Sequence, residues 1–473
     1  MHRARRLSAA RRGVKRWLLA ATCLLGCDSA APATAFRGAA ECGNGRVEDG
    51  EACDLGFANR PDGPCRTCAL PRCGDGIVDE GEACDEGDEP TGRCTAACTE
   101  VWPRQWTRTI DRTRYDEPVV AIAPLHGGDF VHVGAGADDA AGRASVEVTR
   151  RTAEADVVWR AIGEAPVGLT VRDAAMAEDG TVHVIADSAD HVAADETGVV
   201  WVGAVSPDGD VQSSMPIVGQ PLADCEVRGE AIVAAPSSSE GVAVAWLGAV
   251  VCGTRGVWPL QDDGTLGSAV LSGRPPTHGL AVSAGGLFVG TGSRDEPGGI
   301  AYVGWDGALG WEEPALVGRG EVVGLDWDGA RLLVVATEVT GGEELPALAR
   351  PTQVRLSALS GTGQTQWSTV TSSGNPREAA ALAVVGDEIV VIGSERLPAA
   401  VCSDNLCPTQ PWIGTFDAQT GESRRSWRPD DVALGAGTAV AVDDDAVWVG
   451  GGTHRVFARP EGWLVRMSRA GAP

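Results

Sequence analysis

Ala379-Ala-Ala-Leu-Ala-Val-Val385, a turn at Gly386-Asp387, Ile389-Val-Val-Ile392, a variable loop, Trp412-Ile-Gly-Thr-Phe416, a turn from Asp417 to Gly421 and a closing segment ending in Trp427 form one unit of this 473-residue chain. Short β-rich runs separated by Gly/Asp turns read as a four-stranded antiparallel meander.

The same unit recurs from residue 101 onward. Its first turn falls near Gly128, Asp179-Gly180, Gly241, Gly285-Gly286, Asp328-Gly329, Gly386-Asp387 and Asp443 to Asp445. The second runs that follow are Phe130 to Val133, Thr181 to Ile185, Val242 to Trp246, Leu287 to Val289, Arg331 to Val335, Glu388 to Ile392 and Ala446 to Val449. Trp159, Trp311, Trp367 and Trp427 close four units. Seven turns give a mean period of about 53 residues, the length of a propeller blade. Many runs are apolar at every position, as stacked sheets buried on both faces require. The last unit stops after three runs, and Gln105-Trp-Thr-Arg-Thr109 matches the missing fourth strand, as in Gln366-Trp367-Ser368-Thr369. It is expected to close the ring as a clasp that spares two open edges. The expected fold is therefore all-β: a propeller of about seven blades over residues 101–473.

These units resemble pyrroloquinoline-quinone-like propellers, a class of bacterial repeats with an Asp-Gly hairpin and a Trp near the blade's end. That resemblance implies fold, not activity. No counterpart of the quinone enzymes' tryptophan docking motifs or cofactor site is legible, so no cofactor is expected.

The N-terminus carries seven cations between Arg3 and Arg16, then an apolar run from Trp17 to Leu25 and Gly26-Cys27. This is a secretory signal pattern over residues 1–26. Leu24-Leu25-Gly26-Cys27 resembles the lipobox of bacterial lipoproteins, which implies lipidation at Cys27. Losing the signal shifts the net charge from −26 to −33 and removes Lys15, the only lysine, so lysine-based catalysis is excluded in the mature chain. Such an acidic chain is repelled by nucleic acid and anionic lipid. No later run reaches the length of a membrane helix. The expected location is the cell envelope, at the outer membrane or cell surface, with lipid as the membrane attachment.

Residues 27–40 are small, polar and Pro/Ala-rich and read as a tether. Two copies of one pattern follow, over 41–72 and 73–100: Cys42-Gly-Asn-Gly through Cys53-Asp54 is matched by Cys73-Gly-Asp-Gly through Cys84-Asp85. Cys65 and Cys68 complete the first copy, Cys94 and Cys98 the second. Units this short need covalent staples, and two disulfides each is the natural count, with three pairings possible. These residues resemble the Myxococcus cysteine-rich repeat, which implies an extracellular, surface-displayed context. Zinc at Cys65-x-x-Cys68 and calcium at Asp75, Asp79, Glu80, Glu82 and Asp85 are the weaker readings, since the acids lack an Asp-x-Asp-x-Asp-Gly loop.

The remaining cysteines also pair off, Cys225 with Cys252 and Cys402 with Cys407, leaving no odd thiol in an oxidising compartment. The second pair staples a long loop of the sixth unit, the kind of rim loop that carries recognition. Asp326, Asp328 and Asp443 to Asp445 sit where turns need Asp. His126, His132, His183, His191, His278 and His454 are scattered without metal spacing, no Gly-x-Ser-x-Gly elbow occurs, and the paired acids Glu343-Glu344 lie in a loop. The reading is a non-enzymatic envelope lipoprotein whose propeller binds an unknown protein or glycan partner. The alternative is an exported propeller enzyme, a hydrolase or quinone-dependent oxidoreductase.

Overall fold

A computed structural model describes residues 42–47, 51–56, 59, 65, 68, 78, 82, 84, 85, 87, 94, 98, 104–110, 119–135, 145–163, 169–187, 199–218, 227–234, 245–251, 254–260, 270–272, 276–293, 295–341, 351–371, 375–397, 408–429, 434–443, 445–453 and 462–468. The chain divides into two compact units, residues 1–71 and 72–473. No helix among the described residues is long and apolar enough to cross a membrane.

Residues 42–68 are organised by two nested disulfides, Cys42–Cys68 around Cys53–Cys65. The pairing left open by the sequence is thus first with fourth and second with third. In the second copy Cys84 is bonded to Cys94, and Cys98 is also disulfide-bonded. Inside the nest lies the reason for the Cys-Gly-x-Gly opening and the Cys-Asp that follows it. Gly43, Asn44 and Gly45 all donate backbone N–H to Asp54 Oδ2, at 3.0, 3.0 and 3.1 Å. Gly56 N–H and the Asn59 amide hold Oδ1. Wrapping the backbone around a carboxylate places Gly43 at φ 98° and Gly45 at φ 80°, the left-handed region open to glycine. Desolvation pushes the Asp54 carboxyl up, but these donors outweigh it and hold it below the usual carboxylate value. Asp85 likewise accepts from Gly87 N–H.

The 28 strands of the second unit fall into seven four-stranded antiparallel blades among the described residues. Six are consecutive meanders, spanning 121–163, 170–218, 227–272, 276–317, 320–370 and 377–427. Blade 7 takes three strands from 436–468 and its fourth from Arg104–Ile110, which pairs antiparallel with Gly462–Ser468 in the register Thr107 to Val465. The clasp expected from the sequence is in place. Blades 4 and 5 are fused by two further pairs, Gly292 with Glu321 and Ser293 with Gly320.

The core lies between blades rather than within them. Val131, Val148 and Ala161 of blade 1 pack with Val171, Val184 and Trp201 of blade 2. Comparable clusters fill the seams 3–4, 4–5, 5–6 and 6–7. At the closing seam Val119 and Phe130 meet Ala439, Ala446 and Trp448. Burial follows radius. Second strands such as Ala446–Gly452 are buried throughout, which is why they are apolar at every position, whereas fourth strands such as Thr365–Val370 are largely exposed. Six of the seven first strands carry a register shift against their second strand, for example between Val171 and Asp173 and between Gly437 and Ala439. A bulge at this place bends the innermost strand where it lines the hub.

The tryptophans that close the units do more than end them. Trp159 of blade 1 donates its indole N–H to Pro207 O in the third-to-fourth-strand turn of blade 2, at 2.9 Å. Trp311 of blade 4 does the same to Gly361 O of blade 5, at 3.0 Å. Trp367 of blade 5 lies against Gly421 of blade 6. Each ring covers a turn glycine: a Cβ at Gly209, Gly363 or Gly421 would come within 2.8, 2.7 and 2.5 Å of it. Trp311→Ala removes both the indole bond and the packing on Gly363, and is expected to cost about 2 kcal/mol, below the range for a fully buried Trp because this ring is half-buried. Urea unfolding checks it: the midpoint should fall with the slope unchanged, and an unshifted midpoint would contradict the docking role.

Candidate functional site

An antiparallel meander puts its first and third turns at one end and its second turn and the link to the next blade at the other. One end of the ring is therefore a turn face, with tight reversals at 177–181, 206–210, 328–330 and 386–387. Aspartates cap these turns as expected. Asp328 Oδ1 accepts from Ala330 and Arg331 N–H, Asp417 Oδ1 from Gln419 and Thr420, and Asp443 Oδ1 from Asp445 and Ala446. The other end carries connections of nine to twelve residues, 136–145, 188–198, 340–351, 397–408 and 453–461, whereas on the turn face only blade 3 has connections of that length, 235–244 and 261–270.

On this face, among the described residues, blade 6 carries a polar cluster of five side chains centred on one carboxylate. Glu395, at the end of the second strand and 2% exposed, receives Asn375 Nδ2 at 2.8 Å, Arg377 Nε at 3.0 Å and Arg428 Nη2 at 2.7 Å. Gln410, with its amide oxygen turned toward Arg428, accepts from Nε at 2.7 Å. The Arg377 guanidinium lies 4.7 Å over the buried Trp412 ring, whose N–H donates to Ser426 Oγ. Beside it Arg396 bonds Glu378 at 3.0 Å. Burial pushes the Glu395 carboxyl up, but Asn375, Arg377 and Arg428 hold it below the usual value. Two guanidiniums on one carboxylate leave a local positive surplus on a strongly acidic chain.

This cluster sits at the root of the long loop of blade 6. Leu397 N–H bonds Pro408 O at 2.9 Å, so the loop between them leaves from a closed base. The same device recurs elsewhere on this face: Arg172 grips the fully buried Asp187 of blade 2 at 2.8 and 3.0 Å, and Arg355 and Gln353 hold Glu338 of blade 5. Each is an acid at the outlet of a second strand, fixed by a basic neighbour. Chemically these are positioning groups that stiffen the bases of loops.

At the hub, side chains of one blade satisfy the inner strand of the next. Asp173 accepts from Ile232 N–H at 3.0 Å, Asp326 from Val384 N–H at 3.2 Å, and Thr438 Oγ1 donates to Val119 O across the closing seam. Burial raises the Asp326 carboxyl to about 6, partly offset by the N–H groups of Trp327 and Val384. A folded pKa above the unfolded one means that this group's stabilisation is fully present below about pH 4 and is lost as pH rises through about 6. Asp326→Asn keeps the acceptor and removes the charge, so it is expected to raise the melting temperature near pH 7.5, by the equivalent of about 2–3 kcal/mol, and to leave it unchanged near pH 4. Thermal melts at the two pH values decide, and equal effects at both would contradict the assignment.

Several residues singled out from the sequence lie outside the described ones: Cys27, Cys73, Cys225, Cys252, Cys402, Cys407, Asp75, Asp79, Glu80, Gly241, His191, His454 and Glu343-Glu344. The side chains of His126 and His278 do too. His132 is fully buried beside Phe130 and accepts from Arg151 Nε at 3.0 Å. His183 is buried, and desolvation lowers its pKa despite Asp179. Two groups bring acid and cysteine atoms within 4.8 Å, Cys42 with Glu51 and Cys68, and Glu82 with Asp85 and Cys98. Their cysteines are disulfide-bonded and have no thiolate to give a metal.

No protein-family model matches the chain, and no curated protein matches its sequence. Solved structures with a similar fold include the WD40 repeats of RRP9, at 9% identity over 77% of this chain and 99% of that one, with a TM-score of 0.48. YCF48 bound to D1 peptide is 12% identical over 79% and 97%, with a TM-score of 0.46. The β-propeller domain of the Trilobed protease from Pyrococcus furiosus, described as having an open velcro topology, is 10% identical over 76% and 97%, with a TM-score of 0.43. The assignment of this chain as a β-propeller rests on its own strand pairing and seams.

Proposed function

We propose that this chain is an exported lipoprotein, anchored to the cell envelope through Cys27 and raised on a tether and two Myxococcus-type cysteine-rich repeats, whose propeller is a non-enzymatic platform for a protein or glycan partner. The observation that carries the binding reading is the pedestal at blade 6. Asn375, Arg377, Gln410 and Arg428 converge around Glu395 and its loop's base, so the carboxylate is held by its neighbours and the cluster keeps a net positive charge at the root of the loop. Disulfide-bonded cysteines support an oxidising compartment.

The experiment is fractionation combined with an activity screen. Wild-type chain expressed in a lipoprotein-processing host is expected in the membrane pellet and Cys27→Ser in the soluble fraction. The purified protein is expected to leave sugars, esters and alcohols unchanged. A membrane-bound Cys27→Ser sinks the anchor, and turnover in the screen replaces the platform with an exported propeller enzyme.

A further inference from the structure

The outer rim carries a surface that the loop face does not account for. Fourth strands form the free edges of the blades, and exposed edges invite pairing by any extended chain. Most are guarded. Leu309–Val317 carries Glu312, Glu313 and Pro314; Val211–Val218 carries Pro216; Ser423–Trp427 carries Arg424 and Arg425; Arg104–Ile110 carries two arginines; Thr365–Val370 is polar apart from its docked Trp367 and terminal Val370. Blade 1 departs from this pattern. Its edge, Val157–Gly163, reads Val-Val-Trp-Arg-Ala-Ile-Gly, and it pairs with Val146–Arg151 on one side and with no strand on the other among the described residues.

Alternation splits the strand from Trp159 to Gly163 into two faces, and a bulge that leaves Val158 out of the register with Val146–Arg151 exposes Val157 and Val158 together at its start. Trp159, Ala161 and Gly163 face blade 2, where Trp159 bonds Pro207 and Gly163 abuts the Trp201 ring. Val158, Arg160 and Ile162 face outward, with Val158 49% and Ile162 48% exposed. Arg160 lies between them, half exposed, and its contact with Glu147 is long, at 3.5 Å.

We propose that the edge of blade 1 binds an extended strand of a partner protein that carries an acidic residue between two apolar ones at alternate positions. The apolar pair would sit across from Val158 and Ile162 and the acid across from Arg160, with backbone hydrogen bonds adding a fifth strand to the blade. Charge decides against a second copy. Matching Val158 to Ile162 of another molecule in an antiparallel pair sets Arg160 directly opposite Arg160, and two bodies of net charge −26 repel as well.

The test uses the full chain and a fluorescein-labelled synthetic peptide, acetyl-Thr-Val-Thr-Glu-Thr-Val-Thr-amide, followed by anisotropy. Saturable binding is expected, weakened at least about tenfold by Arg160→Glu and restored by exchanging the peptide's Glu for Lys. Val158→Lys with Ile162→Lys is expected to abolish binding while leaving the melting temperature unchanged, since both side chains are exposed. Hydrogen exchange of residues 157–163 should slow when the peptide is bound. Absence of binding overturns the proposal, as does binding indifferent to Arg160→Glu. A concentration-dependent dimer that Ile162→Lys abolishes also overturns it, because the occupant is then a second copy.

Discussion

A chain that begins at residue 111 is expected to unfold at lower temperature and more broadly than one that begins at residue 101, from which it differs only by the clasp strand and its flanks. Without Arg104–Ile110, blade 7 keeps three strands, and six residue pairs from Arg104–Met467 to Ile110–Gly462 vanish. At roughly 1 kcal/mol net for each ladder bond, with packing lost as well, the cost is about 4–6 kcal/mol. That is a large part of the 5–15 kcal/mol that typically stabilises a folded chain. The seam between Phe130 and Trp448, 6.3 Å apart, persists, so the ring should loosen at blade 7 first. Scanning calorimetry with hydrogen exchange at 462–468 reads both effects. An unchanged transition would show that the clasp contributes nothing to closure.

Removing both Cys42 and Cys68 is expected to unfold residues 42–68 outright. This disulfide spans 26 residues and encloses Cys53–Cys65, which spans 12, so it constrains the unfolded chain more. The chain-entropy account assigns about 3.5 kcal/mol to the outer bridge and about 3 to the inner. A segment this small has little core to offset either loss. The Asp54 nest depends on the same closure, since Gly43 to Gly45 must be held against Asp54. Limited proteolysis should cut the Cys42→Ser, Cys68→Ser variant within this segment while the propeller's melting is unchanged. Resistance equal to wild type would assign the fold of the repeat to something other than its bridges. The internal repeat extends the same nested order to Cys73 with Cys98, a pairing that peptide mapping by mass spectrometry checks.

What could be read from the sequence and what could not divide along the range of the physics. Hairpin turns at Asp179-Gly180, Asp328-Gly329 and Gly386-Asp387 are visible because Asp and Gly act on their own backbone within a few residues. The clasp is visible because Gln105-Trp106 copies a pattern present elsewhere in the chain. Tryptophan docking is not local: the acceptors of Trp159 and Trp311 lie 48 and 50 residues on, in the next blade. That separation is itself close to the blade period, and a search for Trp one period before a turn glycine would have found it. The Glu395 cluster has no such signal, since its members come from the blade link, the inner strand, the third strand and the end of the fourth. Asp54 is an intermediate case. Its repetition as Asp85 is plain in the sequence, whereas its role as the centre of a backbone nest appears only once Gly43 and Gly45 are placed.

The central claim, a binding platform on the loop-bearing face, is tested most directly by a pull-down from native envelope with the full, oxidised chain, read by quantitative mass spectrometry. The same experiment is run with residues 398–407 replaced by a Gly/Ser loop of equal length. The account predicts one saturable protein or glycan partner for the intact chain and its loss from the loop variant. Equal capture by both chains, or no partner alongside turnover of a small substrate, would contradict it.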